Sequence, residues 1–208
     1  MATTCEKILQ EVRNLQRSEL SEAGEGFDVK KQVGSSTMAH KKNPIKSENA
    51  SGLARIVRSF IIPTYENALL WHERDLANSS SERFTLSHGS ALCEDVIAKT
   101  RQVLTNMWVD AERCMENIRA QRGLVMAEKV MIDLVERGIP RDEAHEILRE
   151  ASFTAVANKE ELIDVCSRTP AISAAFSAEE LEAMFEPSNH IGVSAVSYTH
   201  LRAHETRS

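Results

Sequence analysis

Apolar residues recur at three- and four-residue intervals along most of this chain, and no sustained run of alternating β-branched residues interrupts them. That period belongs to helices that bury one stripe, and it leaves no stretch suited to a sheet. Glycine and proline, 8 and 5 in number, are too sparse to break the pattern often. The expected fold is all-α. At 208 residues with 42% apolar content the chain is long enough to bury a core, in one or two domains.

Along the chain, an amphipathic helix is expected from about Thr4 to Leu20, with Ile8, Val12 and Leu15 on one face. From Ser21 to His40 the glycines Gly24, Gly26 and Gly34, with Ser35 and Ser36, point to a mobile loop. Pro44 suits a first helical turn. From Ile45 a long helix follows, carrying Leu53, Ile56 and Phe60 on one face, continuing through Leu69 and Leu70 and bent near Pro63. A second long helix is expected from Glu82 to Met107, carrying Leu86, Val96 and Val103. Beyond Asp110 the helices shorten: Gly138 reads as a stop, Pro140 as a new first turn, and Ser177 with Glu180 as a capping box. Past Val193 the apolar stripe fails, and 195–208 is expected to be a disordered or foreign tail.

Several function classes are disfavoured at once. The net charge is −6 and the basic residues are interspersed with acidic ones, so no nucleic-acid partner is expected. No apolar run reaches membrane-spanning length and no signal peptide opens the sequence, so no membrane partner is expected and a cytoplasmic location is. Cys5, Cys93, Cys114 and Cys166 are dispersed, without metal-ligand spacing, and read as reduced. His72 and Glu73 start like an HExxH zinc motif, but Leu76 occupies the fifth position, so no metal is assigned.

Residues 34–44 read Gly-Ser-Ser-Thr-Met-Ala-His-Lys-Lys-Asn-Pro, with Glu48 four positions on. A glycine-serine connector ahead of a helix-start proline can occur in any bundle, and each residue alone says little. Taken together, the eleven positions resemble the GSSxMPxKxNP signature of the fumarase, aspartase and argininosuccinate lyase superfamily, departing only at Ala39, where proline is usual. That departure affects loop stiffness and removes no reacting group. The resemblance implies a long-helix bundle, a homotetramer with active sites shared among subunits, and elimination of fumarate. It places the proton-abstracting base at Ser35, the substrate-carboxylate contacts at Lys41 and Asn43, and Glu48 where it can orient Lys41. It also implies substrate contacts at Ser36, Met38, His40 and Asn49, with the acid histidine in a segment this sequence does not contain. The chemistry suits these types. A serine hydroxyl acts as a carbon base only where backbone N–H groups and a cation stabilise its alkoxide, and the doubly charged intermediate needs preorganised donors.

A second stretch holds Tyr65, Glu66, Asn67, then Leu70 to Asp75 (Leu-Trp-His-Glu-Arg-Asp), then Ser79 to Arg83. It resembles the YENxxLWHERDxSxSSxER segment of adenylosuccinate lyases, which implies that Arg74, Ser79 and Arg83 hold the nucleotide part of the substrate. Guanidinium forks bind phosphate bidentately, and a helix start near Glu82 would add backbone donors. An ordinary turn with arginines paired to Glu73 and Glu82 would present the same charges.

The resemblance extends through RGIPRDEAHEIL (137–148) and FEPSNHIGV (185–193). It divides the chain into a partial central bundle domain at 1–110, with the signature loop at 24–43, and a small all-helical carboxy-terminal domain at 111–194. The implied reaction is the splitting of adenylosuccinate to AMP and fumarate, and of the ribotide SAICAR to AICAR and fumarate, without any cofactor. Another lyase of the superfamily, such as an argininosuccinate lyase or a carboxymuconate cycloisomerase, and a non-catalytic helical assembly protein are the alternatives.

Overall fold

A computed structural model describes residues 1–26 and 42–205, with side chains through residue 200. The chain divides into two compact units, Met1–Cys114 and Met115–Ser208. The described residues are overwhelmingly helical, as the spacing of apolar residues predicts. A single two-residue antiparallel bridge, β1 (Ala23–Gly24) with β2 (Trp108–Val109), is the described exception.

In the first unit, α1 (Ala2–Leu15), α2 (Ile45–Ser59) and α4 (Ala77–Asn106) pack against one another. α1 buries Ala2, Cys5, Leu9 and Val12, a stripe that keeps the expected Val12 but runs through Leu9 rather than Ile8. α2 buries Ser47, Ala50, Ser51 and Ala54, whereas Ile56 is exposed. The expected Leu53, Ile56 and Phe60 face is therefore not the one that turns inward. Small side chains let the helices approach closely, and Leu53 and Val57 close the cluster from its side.

The long helix expected through Pro63 ends at Ser59, and α3 (Ile61–Glu66) starts after a break at Phe60. Pro63 has no N–H to donate to the Ser59 carbonyl, and its ring crowds that oxygen, so the interruption falls ahead of the proline rather than at it. α4 starts five residues before the expected Glu82. The Asp75 carboxylate ends the preceding turn by accepting the Ala77 N–H at 2.8 Å and the Trp71 N–H at 2.9 Å. Val96, Thr100 and Val103 anchor the second half of α4, while Phe84 and Leu86 in its first half are exposed.

In the second unit, α6 (Ala127–Glu136), α7 (Arg141–Asn158), α8 (Leu162–Arg168), α9 (Pro170–Ala175) and α10 (Ala178–Phe185) enclose one core. Val130, Leu134, Leu148, Leu162, Cys166 and Ile172 lie at its centre. Gly138, at φ +94°, ends α6, and Pro140 caps α7 from just outside its first turn. Gly123, at φ +77°, lies where an added Cβ would meet the Phe185 ring at 2.8 Å. The capping box is present: the Glu180 N–H donates to Ser177 Oγ at 3.2 Å, and the Ser177 N–H to the Glu180 carboxylate at 2.9 Å. Within the stretch 195–208 expected as a disordered or foreign tail, the described residues belong to α11 (Ser194–Glu205), whose side chains through His200 are exposed.

Candidate functional site

The first unit carries a cleft of about 510 Å³. Arg13, Asn14 and Arg17 line it from the end of α1, and Lys42, Asn43, Pro44 and Glu48 from the start of α2. A clasp of hydrogen bonds, exposed at Gln16 and buried at Ser47, fixes these walls. The Gln16 side chain donates to the Lys42 carbonyl at 2.9 Å and accepts the Glu25 N–H at 2.9 Å. The Glu25 carboxylate in turn accepts the Lys46 N–H at 3.1 Å, the Ser47 N–H at 3.0 Å and the Ser47 hydroxyl at 2.9 Å. Glu25 is 4% exposed and Ser47 0%. A carboxylate at a helix N-terminus meets otherwise unpaired N–H groups and the positive end of the helix dipole, so Glu25 serves as a distant cap for α2. Nothing in the local pattern around Glu25 signals this, because its partners lie more than twenty residues further along.

Of the expected site residues, Ser35, Ser36, Met38, His40 and Lys41 lie outside the described residues. Asn43 is half-buried and Glu48 exposed in the first turn of α2, and both line the cleft. Asn49 does not line it; its side-chain oxygen accepts from Lys99 Nζ at 2.5 Å. Arg74, Ser79 and Arg83 form a separate group. Ser79 and Arg83 are one turn apart on α4, and Arg74 precedes that helix. The expected backbone donors near Glu82 are not at a helix start, since that residue lies inside α4; the first-turn amides belong to Ala77, Asn78 and Ser79.

Pairing with Glu73 and Glu82 does not account for these arginines. Glu82 accepts from Asn78 Nδ2 at 2.9 Å, and neither Arg74 nor Arg83 has an ion-pair partner among the described residues. The turn is strained: Glu73 and Arg74, neither a glycine, take φ of +63° and +89°. Such conformations cost about 1 kcal/mol or more each and persist where the surroundings enforce them. Here Asp75 enforces them. The Ala77 and Trp71 N–H groups hold its carboxyl below the usual aspartate range. A depressed folded-state pKa contributes stability that is full above the unfolded aspartate pKa and is lost as pH falls through the lowered value. We expect the Trp71 and Ala77 amide signals to titrate together, with a midpoint below that of an unstructured aspartate. A midpoint at the ordinary aspartate value would show that Asp75 does not hold the turn.

Among the described residues, no three His, Cys, Asp or Glu side chains gather as a metal ion requires, and no helix is long and apolar enough to cross a membrane.

Residues 123–200 match the family described as "Adenylosuccinate lyase C-terminus", and residues 1–59 match the family described as "Lyase". Over 192 residues the chain is 44% identical to an adenylosuccinate lyase of Archaeoglobus fulgidus and 43% identical to that of Methanothermobacter thermautotrophicus. Each alignment covers 92% of this chain and 43% of the relative, so the chain spans less than half the length of these curated relatives. Among solved structures, it is similar to the 3-carboxy-cis,cis-muconate lactonizing enzyme of Pseudomonas putida, with a TM-score of 0.81 and 29% identity over 99% of this chain and 45% of that one. A fumarate lyase from Mesorhizobium sp., at 24% identity and a TM-score of 0.80 over 94% of this chain and 42% of that one, shares the fold.

Proposed function

Because the chain belongs to the adenylosuccinate lyase family, we propose that it supplies one share of an active site that eliminates fumarate from adenylosuccinate, giving AMP, and from SAICAR, giving AICAR. The observation that carries this reading is the 44% identity across nearly the whole chain to a relative bearing that name. Ser35 takes the proton next to the substrate carboxylate, the C–N bond breaks as the new C=C bond forms, and an acid outside this sequence protonates the leaving nitrogen. Lys41 and Asn43 meet the charge that develops on the carboxylate, and Glu48 orients Lys41. Ser36, Met38, His40 and Asn49 line the substrate, and Arg74, Ser79 and Arg83 hold its nucleotide part. The reaction needs no cofactor.

The catalytic form is a cytoplasmic homotetramer with shared sites. In support, Ile61, Ile62, Tyr65, Leu69, Leu76, Phe84 and Leu86 are exposed in the first unit, and Trp71 is 84% exposed, an apolar surface that calls for partners. Alone, the 208-residue chain is inactive.

The test mixes this chain with the amino-terminal half of the Archaeoglobus fulgidus relative and follows adenylosuccinate loss by absorbance. Activity is expected only when both are present. A well-folded assembly that leaves adenylosuccinate intact overturns the reading. Conversion of a carboxymuconate instead would favour the cycloisomerase alternative, to which the similarity with the Pseudomonas putida enzyme already gives weight.

A further inference from the structure

Asn49 lies apart from the cleft and is held instead by a residue fifty positions further along. Its side-chain oxygen accepts from Lys99 Nζ at 2.5 Å, and the same ammonium donates to the Asp95 carboxylate at 2.5 Å, one turn earlier on α4. The frame around this bond is closely packed. Ala54 of α2 and Val96 of α4 share one buried cluster, and Ala50 of α2 and Val103 of α4 share another. Lys99 falls between Val96 and Val103 along α4, and Asn49 immediately precedes Ala50, so small buried side chains set how near the two polar groups stand.

Asp95 and Lys99 alone need no special account. They are four apart with the acid first, the favourable order on a helix, and such pairs contribute little. Asn49 changes the arithmetic. A carboxamide carries one accepting oxygen and one donating N–H₂ group, whereas an ammonium only donates. With Lys99 in place the Asn49 oxygen is committed toward α4, and the N–H₂ group must turn the other way. Asn49 is exposed, and its N–H₂ group has no hydrogen-bond partner among the described residues. A cation on the oxygen also polarises the amide and makes its N–H bonds better donors to an anion.

We propose that Lys99, steadied by Asp95, is a positioning residue that fixes the orientation of the Asn49 carboxamide, so that its N–H₂ group faces an anionic oxygen of the substrate. The proposal rests on the reading of Asn49 as a substrate contact. Lys99 itself lies outside both motifs and acts through Asn49.

Two measurements test it. In the 208-residue chain labelled with nitrogen-15, Lys99→Met should move the Asn49 Nδ2 signal to that of a solvated asparagine, and Lys99→Arg, which keeps a cationic donor, should restore most of the shift. Unchanged signals from buried Leu9 and Val103 show that each variant keeps its fold. In the assembly with a complementing amino-terminal half, Lys99→Met should raise KM for adenylosuccinate about fivefold with kcat within about twofold, the pattern of a contact made equally in ground and transition states. Lys99→Arg should stay within about twofold of the original KM, since the donor and charge remain. Asn49→Ala combined with Lys99→Met should be no worse than Asn49→Ala alone, because residues that act in series are not additive. Additive losses would make Lys99 a substrate contact in its own right and overturn the proposal. So would an unshifted Asn49 signal in Lys99→Met, or an unchanged KM with a lowered urea midpoint, which would leave Lys99 only a strut between α2 and α4. An assembly that leaves adenylosuccinate intact defeats the lyase reading, and the Asn49 signal, which needs no turnover, then decides by itself whether Lys99 sets that amide.

Discussion

Replacing Glu25 with alanine should destabilise the first unit by about 3 kcal/mol. The estimate follows from what the carboxylate leaves behind. Three donors, the Lys46 N–H, the Ser47 N–H and the Ser47 hydroxyl, now end on it, and Ser47 is fully buried. A hydrogen bond to a charged group contributes about 1.5–3 kcal/mol, and a buried donor left without a partner costs about 1–3 kcal/mol. These terms overlap, and solvent entering the vacated space offsets part of them, so their full sum is not expected. Glu25→Gln keeps one acceptor but turns an amide N–H₂ toward donors, and should cost about half as much. Urea unfolding followed by a probe in the first unit checks both, and amide exchange at Lys46 and Ser47 should accelerate in the same order. A loss below about 1 kcal/mol for the alanine variant would mean that α2 is capped adequately without Glu25. Because Gln16 binds both Glu25 and the Lys42 carbonyl, loosening the clasp should also disturb Asn43, and with it the wall of the cleft.

Which features the sequence made legible depends on how far apart the cooperating residues lie. Ser177 and Glu180 are three residues apart, and their capping box follows from that spacing alone. Gly138 and Pro140 likewise mark the α6 end and the α7 start through their own backbone preferences. The helical class was legible because a 3.6-residue period repeats many times. The buried face of α2 was not. Apolar spacing favours Leu53, Ile56 and Phe60, but the partner helices select the smaller Ala50 and Ala54, a choice made by tertiary packing. The α4 start was misplaced for a related reason: Asp75 caps it through a turn in which Glu73 and Arg74 take left-handed angles that neither residue type advertises. At the site, the signature identified Asn43 and Glu48, which do line one cleft. The residues that hold that cleft, Gln16 and Glu25, and those that charge it, Arg13 and Arg17, form no motif, because their roles exist only once α1 and α2 are side by side.

The largest effect on activity is expected from Ser35→Ala in the assembly with a complementing amino-terminal half: kcat should fall about 10³-fold, with KM within a few-fold of its original value. Positioned general acid–base groups contribute about 10²–10⁴-fold, and a methyl group leaves nothing at that position to accept the proton. At about 1.4 kcal/mol per tenfold, the loss corresponds to roughly 4 kcal/mol of transition-state stabilisation. The split between kcat and KM carries the argument. A base acts on a proton already in place, so its removal should spare binding, whereas loss of a substrate contact made equally in ground and transition states raises KM alone. Ser36→Ala, at the neighbouring position assigned to substrate contact, is therefore expected to raise KM with a much smaller change in kcat. If Ser36→Ala abolishes kcat while Ser35→Ala does not, the two serines exchange roles and the elimination chemistry stands. If neither substitution alters kcat by more than a few-fold, proton abstraction in this family member falls to another group, and the assignment of the signature serines to that step is wrong.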